Sequence, residues 1–188
     1  MASINKRWLI GGGALILVIL IFVGSYNGLV NADEDVAKAW GNVESAYQRR
    51  ADLIPNLVAT VKGYQIHEQE VLTEITEARS MVAQAKTPAE LTSGDAALST
   101  ALSRLLVVVE NYPNLKANEN FLSLQDELAG TENRVKVERD KYNEAVKTLN
   151  VKIRRFPSNI IASMFGFEKK EVFEAEVGAE IAPEVSFE

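Results

Sequence analysis

One uncharged, apolar run restricts what this chain can fold into more than any other feature. It covers residues 8–24, WLIGGGALILVILIFVG, directly behind Lys6 and Arg7. A helix needs roughly 17 to 25 apolar residues to cross about 30 Å of hydrocarbon, so the run is long enough. The sequence therefore predicts a transmembrane anchor over residues 8–25. Its predicted lipid-facing side chains are Trp8, Leu9, Ile10, Leu15, Ile16, Leu17, Val18, Ile19, Leu20, Ile21, Phe22 and Val23.

A cleavable signal peptide is the alternative interpretation of the same run. Small residues at cleavage spacing occur only as Val23-Gly24-Ser25 and Val30-Asn31-Ala32, each with Val at the first position, where cleavage sites favour Ala. The run also exceeds the usual apolar region of a signal peptide, which is about 7 to 15 residues. We therefore favour an uncleaved anchor.

The charges on the two sides of the run predict its orientation. Lys6 and Arg7 precede it, whereas acidic residues 33–35 come before Lys38 on the far side. Basic residues near a span favour the cytoplasmic side. We therefore expect residues 1–7 to be cytoplasmic and the rest of the chain, from residue 26, to lie on the opposite side of the membrane.

Composition limits the classes of function. Of 188 residues, about 140 remain after the anchor and a tail, enough for one domain with a core of its own. The chain holds 20 Lys plus Arg against 26 Asp plus Glu, and the basic residues are scattered, so we expect no nucleic-acid partner. The absence of Cys excludes disulfides, thiolate metal sites and cysteine nucleophiles.

Apolar residues at steps of three and four predict one long amphipathic helix from about residue 26 to 85. Pro55 removes a backbone N–H, so we expect a kink or short break near residues 52–55. Gly63 is a milder weak point. The apolar stripe consists of Val36, Trp40, Val43, Tyr47, Ile54, Val58, Val61, Val71, Ile75, Ala78 and Val82.

A loop and a second helix are predicted next. Residues 86–94, KTPAELTSG, are rich in Pro, Ser, Thr and Gly and are typical of a loop. Asp95 is the predicted N-cap of a helix of about 16 residues that ends before Pro113.

The C-terminal third predicts two more helices and a tail. A third long helix is predicted from about residue 117, with the heptad-like spacing of a coiled coil, and it should stop before Pro157. Ser158 is expected to cap a short helix that Gly166 ends. Residues 167–188 alternate apolar and acidic residues, and we expect an irregular acidic tail.

These helices have one apolar face each and can bury it only against one another. The predicted fold is therefore all-α, with an N-terminal transmembrane helix continuing into an elongated antiparallel helical bundle over residues 26–166, made of three longer helices and a short one. The apolar stripe of the first predicted helix is longer than the helices that could pack against it. We therefore expect a homo-oligomer, in which part of that stripe faces another subunit.

Seven stretches after the anchor carry a pattern that is specific when taken together. They are YNGLV (26–30), AWGNVESAYQRRADLIPNLVATVKGY (39–64), HEQEVL (67–72), ARS (78–80), YPNLKANENFLSLQDEL (112–128), ENRVKVERDKYNEAVKTLN (132–150) and FPSNIIA (156–162). In these stretches the chain resembles the LemA family of bacterial membrane proteins. The resemblance implies an anchored antiparallel bundle in the bacterial inner membrane and no catalytic residues. Some relatives are associated with shaping internal membranes and others are encoded near membrane metalloproteases.

Polar residues within these stretches fall where helices bend, begin or meet. Such groups satisfy helix ends, and a buried amide fixes register at some cost in stability. We interpret them as structural or interface residues rather than catalytic ones. They are Arg49, Arg50, Asn56, Asn118, Asn143 and Asn150.

The single histidine, His67, raises the alternative of a cation-dependent enzyme because Glu68, Glu70 and Glu74 surround it. A zinc protease helix needs a second His four residues on, and a di-iron bundle needs a Glu-x-x-His on each of two helices. One His cannot supply either site. We therefore expect no catalytic, cofactor or metal site, and a solvated acidic face around His67.

A basic and apolar segment, 152–167, has two interpretations. It could lie in a lipid interface, or it could cap the bundle. With three long helices, its end falls far from the bilayer of its own subunit, so the cap is the prediction.

Two functions follow from these expectations. The preferred one is a non-enzymatic, membrane-anchored envelope scaffold that self-associates and organises or shapes the membrane. The alternative is an adaptor that presents clients to an envelope protease or another membrane protein. The expected partners are thus the lipid bilayer, further copies of the chain and such a membrane protein.

Overall fold

The computed structural model describes residues 6–64 and 68–174, with side chains from residue 10 onward. Within these ranges the regular structure is helical and contains no strand, which confirms the predicted all-α class. The helices are α1 (Lys6–Gly63), α2 (Gln69–Gln84), α3 (Pro88–Val109), α4 (Pro113–Lys116), α5 (Glu119–Arg154) and α6 (Ser158–Phe165).

The chain divides into two compact units, and α1 and α5 contribute residues to both. The first unit comprises Met1–Ser45 and Val137–Glu171; the second comprises Ala46–Lys136 and Val172–Glu188. In the first unit α1 and α5 are antiparallel. The Nζ atom of Lys152 donates to the carbonyl oxygen of Gly28 at 2.9 Å, and further along both helices the ring centroids of Trp40 and Tyr142 lie 5.4 Å apart. The buried apolar side chains of this pair include Leu29, Val36, Val43, Val146 and Leu149.

In the second unit α1, α2, α3 and α5 pack together. The helices α2 and α3 form an antiparallel hairpin, in which Arg104 pairs with Glu74 at 2.5 Å. Their close approach depends on Gly94, because a Cβ atom there would lie 3.0 Å from the backbone nitrogen of Val82. The buried apolar side chains of this unit include Ile54, Leu57, Ile75, Leu98, Leu105 and Phe121.

Of the kink or short break predicted near residues 52–55, the break is wrong, because α1 continues through Pro55 to Gly63. Proline lacks the N–H that would bond the carbonyl oxygen four residues earlier, which is that of Ala51. Ala51 is 2% exposed, so water cannot replace the bond. Instead, Nε of Arg79 on α2 donates to this oxygen at 2.9 Å. A side chain from a neighbouring helix therefore supplies the hydrogen bond that Pro55 cannot.

The single helix predicted over residues 26–85 is also wrong, because α1 ends at Gly63 and α2 begins at Gln69. The same periodicity continues on both sides of the reversal, so spacing alone did not reveal it. Gly63 lies at the break, as expected of a residue with a low helix propensity.

The predicted loop over residues 86–94 is a third correction, because α3 begins at Pro88 rather than at Asp95. Thr87 and Glu90 form a capping box: the hydroxyl of Thr87 accepts from the amide of Glu90, whose carboxylate accepts from the amide of Thr87. The backbone amide of Lys86 also donates to the Glu90 carboxylate. The hydrogen bonds from the amides of Lys86 and Thr87 lower the pKa of Glu90, and the bond from Lys86 has the larger effect. Pro88 is compatible with the first helical turn, where its missing N–H costs nothing.

Helix α6 agrees with the prediction apart from its cap. Pro157 rather than Ser158 is the N-cap residue, and no side chain caps the helix. Gly166 ends it in the left-handed region with φ 75°, a conformation that favours glycine.

The bond between Arg79 and Ala51 can be tested by a double-mutant cycle with Pro55. Arg79→Met keeps the aliphatic stem but leaves the buried carbonyl unpaired, and we expect it to lower the free energy of unfolding by about 1–3 kcal/mol. In a Pro55→Ala background the new amide can bond Ala51, so the cost should shrink. Thermal unfolding of the full chain in detergent, followed by circular dichroism, measures both values.

The control for this cycle is Arg104→Met, which removes an exposed ion pair and should cost only about 0–1 kcal/mol. An equal cost for Arg79→Met in both backgrounds would show that Arg79 does not compensate for Pro55.

Candidate functional site

The apolar start of α1 is the first candidate site, and its side chains face outward. Between Ile10 and Val23 the large apolar side chains are 37% to 71% exposed. A core helix of a soluble domain would bury such residues, whereas a membrane span leaves them for lipid. Among the described helices, α1 alone contains a stretch long and apolar enough to cross a membrane. The side chains of Trp8 and Leu9 lie outside the described part.

Helix α6 packs against this apolar stretch. The ring of Phe165 lies 6.1 Å from the ring of Phe22 and 4.8 Å from that of Tyr26, and Phe167 lies 6.2 Å from Tyr26. The prediction that this segment ends far from the bilayer is therefore wrong. It assumed three long helices, but the reversal after Gly63 adds a fourth, and α5 consequently returns toward the start of α1.

The segment after α6 is held along the first unit by hydrogen bonds between side chains of α5 and its backbone. Asn150 donates from Nδ2 to the carbonyl oxygen of Lys170 at 2.9 Å and accepts from the amide of Lys170 at 3.0 Å. The Tyr142 hydroxyl donates to the carbonyl oxygen of Glu171 at 3.1 Å. Burial, reinforced by the Glu171 carboxylate, raises the pKa of Tyr142. Residues 170–171, at the start of the predicted tail, are thus fixed onto α5.

Arg50 is the second candidate site and the most buried charged residue described, at 2% exposure. The buried positions of α1 follow steps of three and four through Val43, Tyr47, Ile54 and Leu57, and Arg50 fills the step between Tyr47 and Ile54. A guanidinium at such a core position needs partners that replace its hydration.

Three side chains from two helices surround the Arg50 guanidinium. It forms an ion pair with Asp95 of α3, donates to the Ser99 hydroxyl of α3 at 3.1 Å and donates to Glu132 of α5 at 3.2 Å. Asp95 is 13% exposed and Glu132 is 63% exposed. Within the described residues, Nε of Arg50 has no hydrogen-bond partner. The cluster therefore joins α1, α3 and α5 through one buried cation.

A half-open cavity of about 230 Å³ adjoins this cluster. Its walls are mainly apolar, and its polar end is formed by Arg50 and its partners Ser99 and Glu132. The remaining lining residues are Leu57, Leu102, Ser103, Leu105, Leu106, Phe121, Gln125, Leu128 and Ala129. This arrangement suits an apolar group with an acceptor at one end, since the walls are hydrophobic and the end carries N–H donors.

The other predicted polar residues do not form one site. Arg49 and Asn56 are exposed on α1, and the carbonyl oxygen of Asn56 accepts from Thr60. Asn118 caps α5 by accepting from the amide of Phe121 at 3.0 Å. Its Nδ2 also donates to the Tyr64 hydroxyl at 2.9 Å. Asn143 is half-buried on α5 in the first unit.

The alternative site around His67 lies partly outside the described residues, because residues 65–67 are not among them. In the described ranges no group of three His, Cys, Asp or Glu residues is placed to hold a metal ion. Glu74, one of the acidic neighbours, is paired with Arg104.

The profile of the LemA family matches residues 39–187. The chain belongs to the LemA family. This match confirms the resemblance and covers both the Arg50 cluster and α6.

Three similar proteins illustrate the range of this family. The chain is 26% identical to magnetosome protein MamQ 2 of Paramagnetospirillum magneticum, over 85% of the chain and 70% of that relative. It is 24% identical to magnetosome protein MamQ of Magnetospirillum gryphiswaldense, over 85% and 68%. It is 26% identical to protein LemA of Metamycoplasma hominis, over 82% and 71%.

Sequence reasoning missed Asp95, Ser99 and Glu132 as partners of Arg50. A signal for Asp95 was present, because the Thr87-Pro-Ala-Glu90 pattern is a capping box and moves the helix start upstream. Asp95 then lies inside α3, where it cannot be the N-cap. No local pattern identifies Glu132, because its contact with Arg50 is set by the packing of distant helices.

In this LemA-family chain, we expect the removal of Asp95 and the removal of Glu132 to lower the free energy of unfolding by different amounts. Asp95→Ala leaves the buried guanidinium with one exposed acid, and we expect it to lower the free energy of unfolding by about 3–5 kcal/mol. Glu132→Ala removes a partner that is 63% exposed and should cost about 0–1 kcal/mol. Thermal unfolding of the full chain measures both, and equal costs would contradict the assigned role of Asp95.

Proposed function

We propose that this chain is a non-enzymatic, membrane-anchored scaffold that self-associates and organises or shapes the membrane. The observation that carries the proposal is the continuity of α1, which runs without a break from the exposed apolar stretch through the part of the first unit that packs against α5. A helix cannot bend freely between anchor and domain, so the domain is held at a fixed attachment to the bilayer. Such an attachment suits a structural protein, because forces between neighbouring domains pass directly to the membrane.

The proposed location is the inner membrane of a bacterium, crossed once, with residues 1–7 in the cytoplasm. The orientation depends on Lys6 and Arg7, which precede the span. The positive-inside rule counts basic residues close to a span in sequence, so the basic residues near α6 do not oppose this orientation.

Exposed apolar side chains on the second unit support self-association. On α3, Leu106 is 45% and Val107 is 71% exposed, and on α5 Leu122 is 45% exposed. Small glycines in the span, Gly11–Gly13, have open space where a Cβ atom would lie, which allows another transmembrane helix to approach closely.

Light scattering of the full chain in detergent tests the scaffold. We expect a discrete mass that is a multiple of the 20.7 kDa chain. Val107→Lys should lower that mass because a charge would be buried between copies, whereas Ser93→Lys, at an exposed position more than three turns away on α3, should leave it unchanged. A wild-type chain that stays monomeric at all concentrations would contradict the scaffold.

The cavity beside Arg50 supports a second function, an adaptor for an envelope protease or another membrane protein. An open apolar recess can receive an apolar side chain of a client, and the donors of Arg50 can bind a carbonyl oxygen at its end.

Photocrosslinking in cells tests the adaptor. A photoreactive amino acid at Leu106, which lines the cavity, should give one discrete heterologous adduct, and the same group at exposed Asn120 should give none. Ala129→Trp, which fills the cavity, should abolish the adduct. Adducts formed only between copies of this chain would exclude the adaptor and favour the scaffold.

A further inference from the structure

Helix α6 has an apolar face that the first unit does not cover. Ile161 and Ala162 are buried, whereas Ile160 and Met164, one turn apart on a different face, are 52% and 66% exposed. Phe156, just before the helix, is 76% exposed. Exposure of this much apolar surface on an eight-residue helix is unfavourable in water, because apolar groups gain free energy when they leave it.

This uncovered face lies beside the apolar stretch of α1. Phe165 touches Phe22, which belongs to the run of residues 8–24, and Tyr26, which follows it. Tyr and Trp rings are common where a span leaves the hydrocarbon. The ring contacts therefore place α6 at the depth where the anchor emerges from the bilayer.

The residues around α6 are basic in an otherwise acidic chain. Residues 152–170 contain five basic side chains and one carboxylate, that of Glu168, while the whole chain carries a net charge of -6. Lys170 pairs with Asp33 at 3.5 Å and Lys152 bonds the backbone of α1. Arg154 and Arg155 are exposed and form no ion pair with the described residues. These two guanidinium groups are thus available beside the apolar face.

We propose that α6 lies in the interface of the bilayer that the anchor crosses. Ile160, Met164 and Phe156 enter the boundary between headgroups and acyl chains, and Arg154 and Arg155 bind anionic lipid headgroups. Interfacial helices bury their apolar face about 5–10 Å into that boundary and gain from basic flanks near anionic lipid. The inference rests on the membrane anchor of the proposed function and adds a second lipid contact, distant from the anchor in sequence.

The absence of Cys makes site-specific labelling straightforward. The full chain is reconstituted into vesicles of phosphatidylcholine and phosphatidylglycerol that contain a lipid with a nitroxide near the headgroup. An environment-sensitive fluorophore is attached to Met164→Cys. Two further variants serve as references: Ile19→Cys inside the anchor and Asp140→Cys at an exposed position of α5.

We expect nitroxide quenching at position 164 to exceed that at position 140 by about threefold or more, because an interfacial residue contacts lipid and an exposed residue of α5 does not. A label at position 164 that is quenched no more than one at position 140, while position 19 remains in a lipid environment, would overturn the inference alone. Loss of the lipid signal at both 19 and 164 would instead overturn the anchor. Energy transfer between labels at position 164 on different copies, without quenching, would show that a second copy covers α6.

The two arginines are tested in the same assay. Arg154→Gln with Arg155→Gln should reduce quenching at position 164 in vesicles with phosphatidylglycerol and leave it unchanged in phosphatidylcholine alone, because only anionic headgroups attract the guanidinium groups. Lys147→Gln, at an exposed position of α5, is the control for charge removed elsewhere in the same unit. Equal quenching before and after the arginine changes would overturn the electrostatic part of the inference.

Discussion

The packing of helices in the second unit depends on how the carbonyl oxygen of Ala51 is hydrogen-bonded. Pro55 deprives it of its helical partner, and the adjacent Arg50 places a buried cation in the same turn. Both conflicts are resolved by side chains of other helices, Arg79 for the carbonyl and Asp95 for the guanidinium. Because these contacts satisfy a buried carbonyl oxygen and a buried guanidinium of α1, its central turn and the packing of α2 and α3 stabilise one another. Local sequence preference would end the helix here, and tertiary contact continues it.

The fold class, the anchor helix and the final short helix could be predicted from the sequence because each depends on local patterns: an apolar run, a stripe, or a glycine after a helix. The number of chain reversals could not, since the apolar spacing is the same on both sides of Gly63. That one missing reversal changed the direction expected for α5 and therefore the position of α6. An error in counting helices alters which end of a bundle a segment reaches, even where its local structure is predicted correctly.

For the polar residues, too, burial could be predicted from neighbouring positions in the sequence, whereas contacts with distant residues could not. Arg49 and Arg50 are adjacent residues of the same type, but only Arg50 is buried. Arg50 occupies the position that the apolar stripe leaves open between Tyr47 and Ile54. Its role could have been predicted from that gap. The identity of its acidic partners could not, because the two carboxylates are 45 and 82 residues away in the chain. A buried cation with partners on two helices restricts which helices can be neighbours, as buried polar groups do when they fix register.

Charge explains why a second membrane contact matters for a protein with this anchor. A chain with net charge -6 is repelled from an anionic bilayer to which its own helix ties it, and the repulsion acts within roughly 8–10 Å of the surface. The end of α5 and helix α6 lie beside the start of α1, so the basic side chains of residues 152–170 lie close to the apolar stretch. A single helix fixes where a domain is attached but leaves rotation about its axis free. An apolar helix on one side of the anchor removes that freedom, and neighbouring copies would then present defined faces to one another, as an assembly that organises a membrane requires.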